Sequence, residues 1–451
     1  MRQALESLKR DQPIGRRGRI GLGLMAAVFV VFSFYTVHLE THRYPGKGDL
    51  DVFLRAGWAA REGQSLYKVT DGHGFHYLYT PLFADMLTPL ADPPPDATPA
   101  QKTFMLPYKA SATIYYWLSV VCLFGALHII ATSLERISPL GEPPTGSRAW
   151  WALRTWPMLA AFSWVGDGIG RGQATPLVLL LLSGVVWFMA RNRKLAAGAV
   201  LGFVGVLKLF PLYLLIYPVW RFDRKMILGA AAGLLAAIIL PFAIMGPTAA
   251  AGAYHEFIFD RMVGEASGHG DPTVSGELHG TNSSIQAFEY VAYNTLHPDA
   301  RDRSRLPPRP YFIAHIAIAG LVTLAAIWMM RRRGDALSEI LYFAALAQLM
   351  VPILPVSRPH YFTLEILAFA PLLMAEWEQR RRGLWPGWPL MTLGIVNMVI
   401  GLLVALGQRQ VIDFGLTTYA ALALAAMAMT TARRRALGAQ AEPRLTPVAV
   451  A

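Results

Sequence analysis

Two aspartates separated by one residue, Asp49 and Asp51, lie in the segment Gly48-Asp49-Leu50-Asp51-Val52-Phe53. They come about a dozen residues after Ile20–Val37, an apolar run with no charge. A run of about 18 apolar residues can span a bilayer, so these carboxylates fall just outside the hydrocarbon, and a carboxylate there can act as general base on a hydroxyl. Cationic groups recur downstream. Arg171 and Gln173 close a glycine-rich turn, Trp164 to Gln173, in which the arginine can clamp a phosphate and the amide can meet a hydroxyl. Lys208 interrupts an apolar stretch, where an ammonium is costly without an anionic partner; a lipid phosphate would satisfy it. Arg358 and His360, in Ser357-Arg358-Pro359-His360-Tyr361, open another apolar run, where free backbone amides help to hold an anion. Together these residues suggest chemistry at a membrane surface.

Each of these residues also has a plainer reading. An aspartate before a helix can simply cap it, and the residues alone do not choose between Asp49 and Asp51. The aromatic stretch Phe75 to Phe83, with Tyr79 in it, can anchor the chain at the interface or stack on a sugar face. Lys208 can snorkel toward a surface. The loop Gly264–Ser284 holds His269, Asp271, Glu277, His279 and Asn282. Their spacing fits no fixed metal motif, so no metal is expected, and a solvated polar loop is the plain alternative. Asn282-Ser283-Ser284 also fits a glycosylation sequon, a pattern of low information.

The elements that must position these groups are membrane helices. Of 451 residues, 54% are hydrophobic and 16% charged, which is far from a soluble domain. The net charge of +12 is not spread as a nucleic-acid surface; it falls in short clusters between apolar runs, namely Arg16–Arg19, Arg191–Lys194, Arg221–Lys225, Arg331–Arg333, Arg380–Arg382 and Arg433–Arg435. That is the pattern of short loops held on the cytoplasmic side, and it excludes a nucleic-acid partner. The single cysteine, Cys122, rules out an intrachain disulfide or a multi-thiolate metal site. The basic, then apolar, N-terminus lacks a small-residue cleavage pattern and reads as an uncleaved first span.

The expected architecture is an all-α polytopic membrane protein of 10–12 transmembrane helices. Further spans are expected near Tyr108–Ala131, Trp150–Val165, Ala174–Ala190, Met226–Met245, Tyr311–Met330, Ala336–Leu354, Tyr361–Ala375, Pro386–Leu406 and Val411–Thr430. The apolar stretch from Lys194 to Arg221 is basic at both ends, so one crossing would strand a cluster on the wrong side. A short hairpin broken at Lys208-Leu209-Phe210-Pro211 resolves this, with one tilted helix as the alternative. Residues 1–19 and 436–451 read as cytoplasmic tails around one transmembrane domain, 20–435. Loops 39–107 and 246–310 then lie outside, and Asp51–Gln64 has the spacing of an interfacial helix. The unusual polar groups collect on that outer face.

In order and spacing these motifs resemble the polytopic glycosyltransferases of family eighty-seven, typified by polyprenol-phosphate-mannose-dependent mannosyltransferases. The matching pieces are Asp49-Leu50-Asp51-Val52-Phe53, Gly63-Gln64-Ser65-Leu66-Tyr67, Tyr79-Thr80-Pro81 with Pro89, Gly172-Gln173-Ala174-Thr175-Pro176, Lys208-Leu209-Phe210-Pro211, Asn282-Ser283-Ser284 and Ser357 through His360. The resemblance implies a C-type membrane glycosyltransferase fold and inverting transfer of a sugar, mannose as first choice, from a polyprenyl-phosphate donor to a glycolipid or glycan acceptor. It places the enzyme in the bacterial cytoplasmic membrane with its site facing the periplasm, among membrane lipids and without a cofactor. It makes Asp49 the base, with Asp51 second. Lys208, Arg171, Arg358 and His360 would hold the donor phosphate, and Tyr79, Gln173, His279 and Asn282 would contact substrate. Thr175, where the family often has asparagine, and Arg358-Pro359 before His360 depart from the pattern. A flippase of a lipid-linked sugar, suited by Lys208 and a broken hairpin, and a non-catalytic envelope scaffold are the competing readings.

Overall fold

The structure is a computed structural model that describes residues 12–39, 48–72, 74–139, 141–263, 282–296, 309–381, 388–408 and 410–441. Among them the chain is helical, with no strand beyond two isolated bridges, Pro13 to Ser147 and Thr70 to His76. Helix α1 (Arg16–His38) leads to α2 (Leu50–Arg61), α3 (Pro81–Met86) and α4 (Tyr108–Ile137). Then follow α5 (Arg148–Ala160), α6 (Phe162–Gly170), α7 (Thr175–Ala190), α8 (Lys194–Leu207) and, after a 3-10 turn over Phe210–Leu215, α9 (Ile216–Trp220). Next come α10 (Arg224–Ile244), α11 (Pro247–His255), α12 (Ile285–Leu296), α13 (Arg309–Met329) and α14 (Ala336–Ile353). A 3-10 turn over Pro359–Glu365 enters α15 (Ile366–Arg381), and α16 (Trp388–Ala405), α17 (Gln410–Asp413) and α18 (Leu416–Ala441) complete the chain.

Helices α1, α4, α10, α13 and α14 are each long and apolar enough to cross a membrane, and four shorter apolar helical segments accompany them. This is an integral membrane protein. Several expected spans are built from pieces. The span expected at Trp150–Val165 is α5 and α6 joined at Ala161 (φ −104°, ψ 13°), four residues past the Pro157 inside α5. The span expected from Tyr361 begins as the 3-10 turn that carries His360.

The stretch from Lys194 to Arg221 is a hairpin. Helix α8 stops at Leu207, Lys208 adopts an extended conformation (φ −148°, ψ 113°), and the chain turns back through the 3-10 segment. The reversal closes at the base, where Lys194 Nζ lies 2.7 Å from Asp223 Oδ2. Asp223 also caps α10 by accepting from the Met226 N–H. Helices α8 and α10 pack at backbone contact through four glycines. A β-carbon at Gly198 would fall 2.0 Å from the Met226 carbonyl, at Gly202 2.0 Å from that of Ala230, and at Gly233 1.9 Å from that of Ala199. Gly229 meets Leu195 in the same way. Small residues four apart on both helices give this close membrane packing.

The basic clusters gather at one end of the molecule. Arg333 donates to the Arg221 carbonyl at 2.6 Å, and Arg221 pairs with Glu339 at 3.0 Å. Arg435 bridges Asp335 and Glu378 at 2.5 and 2.7 Å. The expected interfacial helix is α2, but protein covers it all round: every residue from Leu50 to Ala60 is buried. The alanines and Gly57 that suggested a membrane stripe are instead small packing residues. A β-carbon at Gly57 would touch the Leu87 backbone at 3.0 Å. Phe53 of α2 and the aromatics that follow it, Tyr67, Tyr77, Tyr79 and Phe83, form a cluster, buried except for the half-buried Tyr79, whose rings meet at 4.9–6.3 Å, while Phe75 and Leu78 remain exposed.

Candidate active site

Asp49 occupies the N-cap position of α2, yet its side chain makes no capping hydrogen bond. The helix start is held instead by the backbone: the Asp49 N–H donates to the Arg171 carbonyl at 2.9 Å. This close approach needs Gly172, which has φ +66° and whose β-carbon would sit 2.5 Å from Leu50 Cβ. The carboxylate is thus free to meet Gln173, whose Nε2 donates to Asp49 Oδ2.

Gln173 is the hinge of the cluster. Its Oε1 accepts from the Tyr79 hydroxyl at 2.7 Å and, more weakly, from Lys208 Nζ at 3.4 Å. An ammonium can only donate, so it fixes the amide with oxygen toward Lys208 and nitrogen toward Asp49. Lys208 is buried, with its ammonium 4.4, 5.0 and 5.5 Å from the ring centres of Tyr361, Tyr79 and Phe210. Rings at such distances stabilise a desolvated cation. The neighbouring Thr80 Oγ1 donates to the Val206 carbonyl at 2.7 Å, tying the Tyr79 segment to the end of α8 just below Lys208.

A second group of charges stands beside this one. Arg171 Nε donates to Asp167 Oδ1 at 2.9 Å, and half of the arginine side chain remains exposed. His360 Nδ1 lies 3.5 Å from Asp167 Oδ2. That geometry is too loose for a hydrogen bond, so both nitrogens of the buried His360 ring are without a hydrogen-bond partner among the described residues. Arg358 is half-buried and close enough to act on the charge of Asp49.

Burial and the neighbouring charges act on the Asp49 carboxyl in opposite directions. Burial raises the Asp49 carboxyl above its usual range and outweighs the opposing pull of Arg171, Gln173, Lys208 and Arg358. A desolvated carboxylate of raised basicity beside an array of cations is suited to accept a proton while the cations hold an anion.

The expected site residues therefore divide. Asp49, Gln173, Tyr79 and Lys208 are linked directly, and Arg171, Arg358 and His360 surround them. Asp51 points elsewhere: Oδ2 accepts from the Gly72 N–H at 3.4 Å, on the side of α2 where Arg55 pairs with Asp92 at 3.2 Å. Asn282 braces the loop before Arg358. Its Oδ1 accepts from Ser357 N–H at 2.9 Å and Ser284 N–H at 3.1 Å, while Nδ2 donates to the Pro355 carbonyl at 3.2 Å. It is also buried, unlike an accessible glycosylation site. His269, Asp271, Glu277 and His279 lie outside the described residues. Among those described, no three His, Cys, Asp or Glu side chains converge as a metal-ligand set.

Four residues in or beside the cluster are not singled out by the sequence. Asp167, within the Trp164 to Gln173 turn, is the shared neighbour of Arg171 and His360. Phe210 and Tyr361, inside the quoted motifs but given no role there, supply rings around Lys208. Glu365 is a buried acid bonded by Asn397 Nδ2 at 2.5 Å on the 3-10 turn that carries His360, and an acid within an apolar run was the available signal.

The profile of Glycosyltransferase family 87 matches residues 77–355, more than half of the chain. The match begins after Asp49 and ends before Arg358, so the geometry above is what ties these residues to the family region. Curated relatives include the polyprenol-phosphate-mannose-dependent alpha-(1-2)-phosphatidylinositol mannoside mannosyltransferase of Mycobacterium tuberculosis, 24% identical over 80% of this chain and 77% of that protein. The protein of the same description from Mycolicibacterium smegmatis is 25% identical over 76% and 73%. Among solved structures, ArnT from Cupriavidus metallidurans bound to undecaprenyl phosphate aligns with a TM-score of 0.44 and 14% identity over 96% of this chain and 82% of its own. With a family profile covering most of its membrane-embedded body, the chain belongs to glycosyltransferase family 87 and is a membrane glycosyltransferase.

Proposed function

We propose that the protein transfers a sugar, mannose as first choice, from a polyprenyl-phosphate donor to a glycolipid or glycan acceptor, with inversion at the anomeric carbon. The observation that carries this reading is the Asp49 carboxylate, released from capping and held by Gln173 within reach of the buried Lys208 ammonium. The polyprenol-phosphate-mannose dependence of both mycobacterial relatives supports the donor class.

The chemistry follows from the arrangement. An acceptor hydroxyl approaches Asp49, the bond from its oxygen to the anomeric carbon forms, and the bond from that carbon to the phosphate oxygen breaks. The hydroxyl proton passes to Asp49, and the electron pair leaves with polyprenyl phosphate. The transition state is oxocarbenium-like, and the group that gains negative charge is the phosphate. Lys208, Arg171, Arg358 and His360 are the groups placed to stabilise it, so no separate acid is needed for departure. The basic clusters lie at the far end of the molecule, and positively charged loops remain in the cytoplasm. That supports an outer, periplasmic site in a bacterial cytoplasmic membrane, with the domain spanning residues 20–435 between two cytoplasmic tails.

The direct test uses the purified protein and labelled polyprenyl-phosphate mannose. Product should form, and Asp49→Asn should lose at least about 100-fold in turnover, the usual contribution of a general base, while Asp51→Asn stays within about tenfold. Full activity in Asp49→Asn, with loss in Asp51→Asn, would overturn the assignment.

A further inference from the structure

Helix α1 stands off the bundle. It touches its neighbours through three ring pairs, Phe29 with Phe124 at 5.0 Å, Phe34 with Trp117 at 5.1 Å and Phe32 with Phe162 at 6.1 Å. Its lead-in is pinned at the basic end, where the Ile14 N–H donates to the Gly146 carbonyl at 3.3 Å. Between these attachments a cavity of about 640 Å³ opens against α4 and α5. It follows α1 from Arg19 to Ser33, which at 1.5 Å per residue is roughly 21 Å.

The walls are almost wholly apolar, and the polar groups are unevenly placed. Arg19, His128 and Arg154 line the basic end. Arg154 is neutralised by a two-pronged pair with Glu135, at 2.6 and 2.9 Å. Arg19 makes no ion pair with any described residue, and Arg16 and Arg17 precede it. The slot thus combines a chain-length apolar trough with an uncompensated guanidinium at its mouth. Its volume falls within the usual range for a small-molecule site.

We propose that this slot binds one anionic phospholipid of the leaflet at the basic end, with an acyl chain along α1 and the phosphate at Arg19. Basic pockets between membrane helices recognise anionic headgroups in this way. The site is separate from the reaction centre, because Asp49 and Lys208 lie toward the opposite end. The donor's own tail does not account for it: a chain entering from the reaction centre leaves the guanidinium unmatched. The lipid would brace α1 against α5, which continues through Ala161 into α6 and Asp167.

The test uses the full chain in mild detergent with phosphatidylglycerol, phosphatidylcholine of the same acyl chains, or undecaprenyl phosphate. Native mass spectrometry and thermal unfolding are the readouts. Phosphatidylglycerol should be retained one-to-one and raise the unfolding midpoint by several degrees, with phosphatidylcholine far weaker. Arg19→Gln should weaken the apparent affinity about tenfold. Gly23→Leu should abolish the adduct: Gly23 lines the slot and a β-carbon there meets nothing within 4 Å, so the leucine side chain has room to fill it, and leucine favours the helix over glycine. Equal stabilisation by phosphatidylcholine, or a phosphatidylglycerol adduct that survives Gly23→Leu, would overturn the proposal. So would undecaprenyl phosphate alone being displaced by Gly23→Leu, which would make the slot a rest for the donor's tail.

Discussion

Replacing Gln173 with leucine isolates the link between the base and the cation. The wild-type amide donates to the Asp49 carboxylate and accepts from Tyr79 and Lys208. Leucine has similar bulk but leaves the carboxylate without that donor. That donor holds the carboxylate in place, and a misplacement of about 1 Å can cost on the order of 100-fold in rate. The expected loss in kcat is therefore about 10- to 100-fold, smaller than that for removing the carboxylate itself. The pH profile gives a second signature. As the proposed base, Asp49 would act only when ionised, so activity should fall as pH drops through its pKa. Burial raises that pKa, and the Gln173 bond opposes the rise. The acid limb of wild type should thus lie above the ordinary carboxylate range, and in Gln173→Leu it should move higher still. Initial rates with labelled donor between pH 5 and 9, on protein checked by size exclusion and thermal unfolding, measure both effects. A folded Gln173→Leu variant with unchanged kcat and an unmoved acid limb would refute the reasoning.

Three further perturbations probe the surroundings. Lys208→Met should lower kcat by about 100- to 1,000-fold, the scale for removing a group that stabilises developing charge. Its unfolding midpoint should not fall, because an apolar side chain replaces a buried ammonium. Gly172→Ala forces a β-carbon into Leu50 at positive φ; left-handed strain plus overpacking comes to about 2–5 kcal/mol, read as a lower midpoint with activity loss at Asp49. Asn282→Ala orphans the Ser357 and Ser284 N–H groups, while the Pro355 carbonyl keeps the Ser284 hydroxyl, and this should cost about 2–4 kcal/mol. It should also lower kcat more than it raises KM, since the loosened Pro355–Ser357 loop leads into Arg358 and His360.

Charge and length made the scaffold legible. Basic clusters at both ends of an apolar stretch implied that it must return to its starting side, and the Lys194–Asp223 pair closes that hairpin. The helix at Asp51–Gln64 was legible in extent but not in setting. Alanine and glycine at helical spacing serve an interface and a crowded core equally well, and only the neighbouring Leu50–Gly172 and Gly57–Leu87 contacts distinguish the two. The choice between Asp49 and Asp51 was illegible for a related reason. Both residues suit a helix start, and what separates them is rotation about α2, which turns one toward Gln173 and the other toward Gly72. Gln173 was expected to face substrate because nothing local reveals that Tyr79 and Lys208, 94 and 35 residues away, converge on the same amide. Asn282 likewise matched a surface motif until its two bonds to the 355–357 loop placed it inside.

The glycine seam between α8 and α10 has a consequence for how this gene can change. Lys208 is delivered by a stalk whose angular setting is locked at every turn by carbonyls that tolerate no side chain. One residue inserted or deleted between Lys194 and Leu207 advances the stalk by about 1.5 Å and rotates it by about 100°. No rigid shift then restores both the seam and the ammonium's seat among its three rings. Point substitutions on the stalk's outer side leave that setting intact, whereas length variation belongs in the loops that lead into it and out of it.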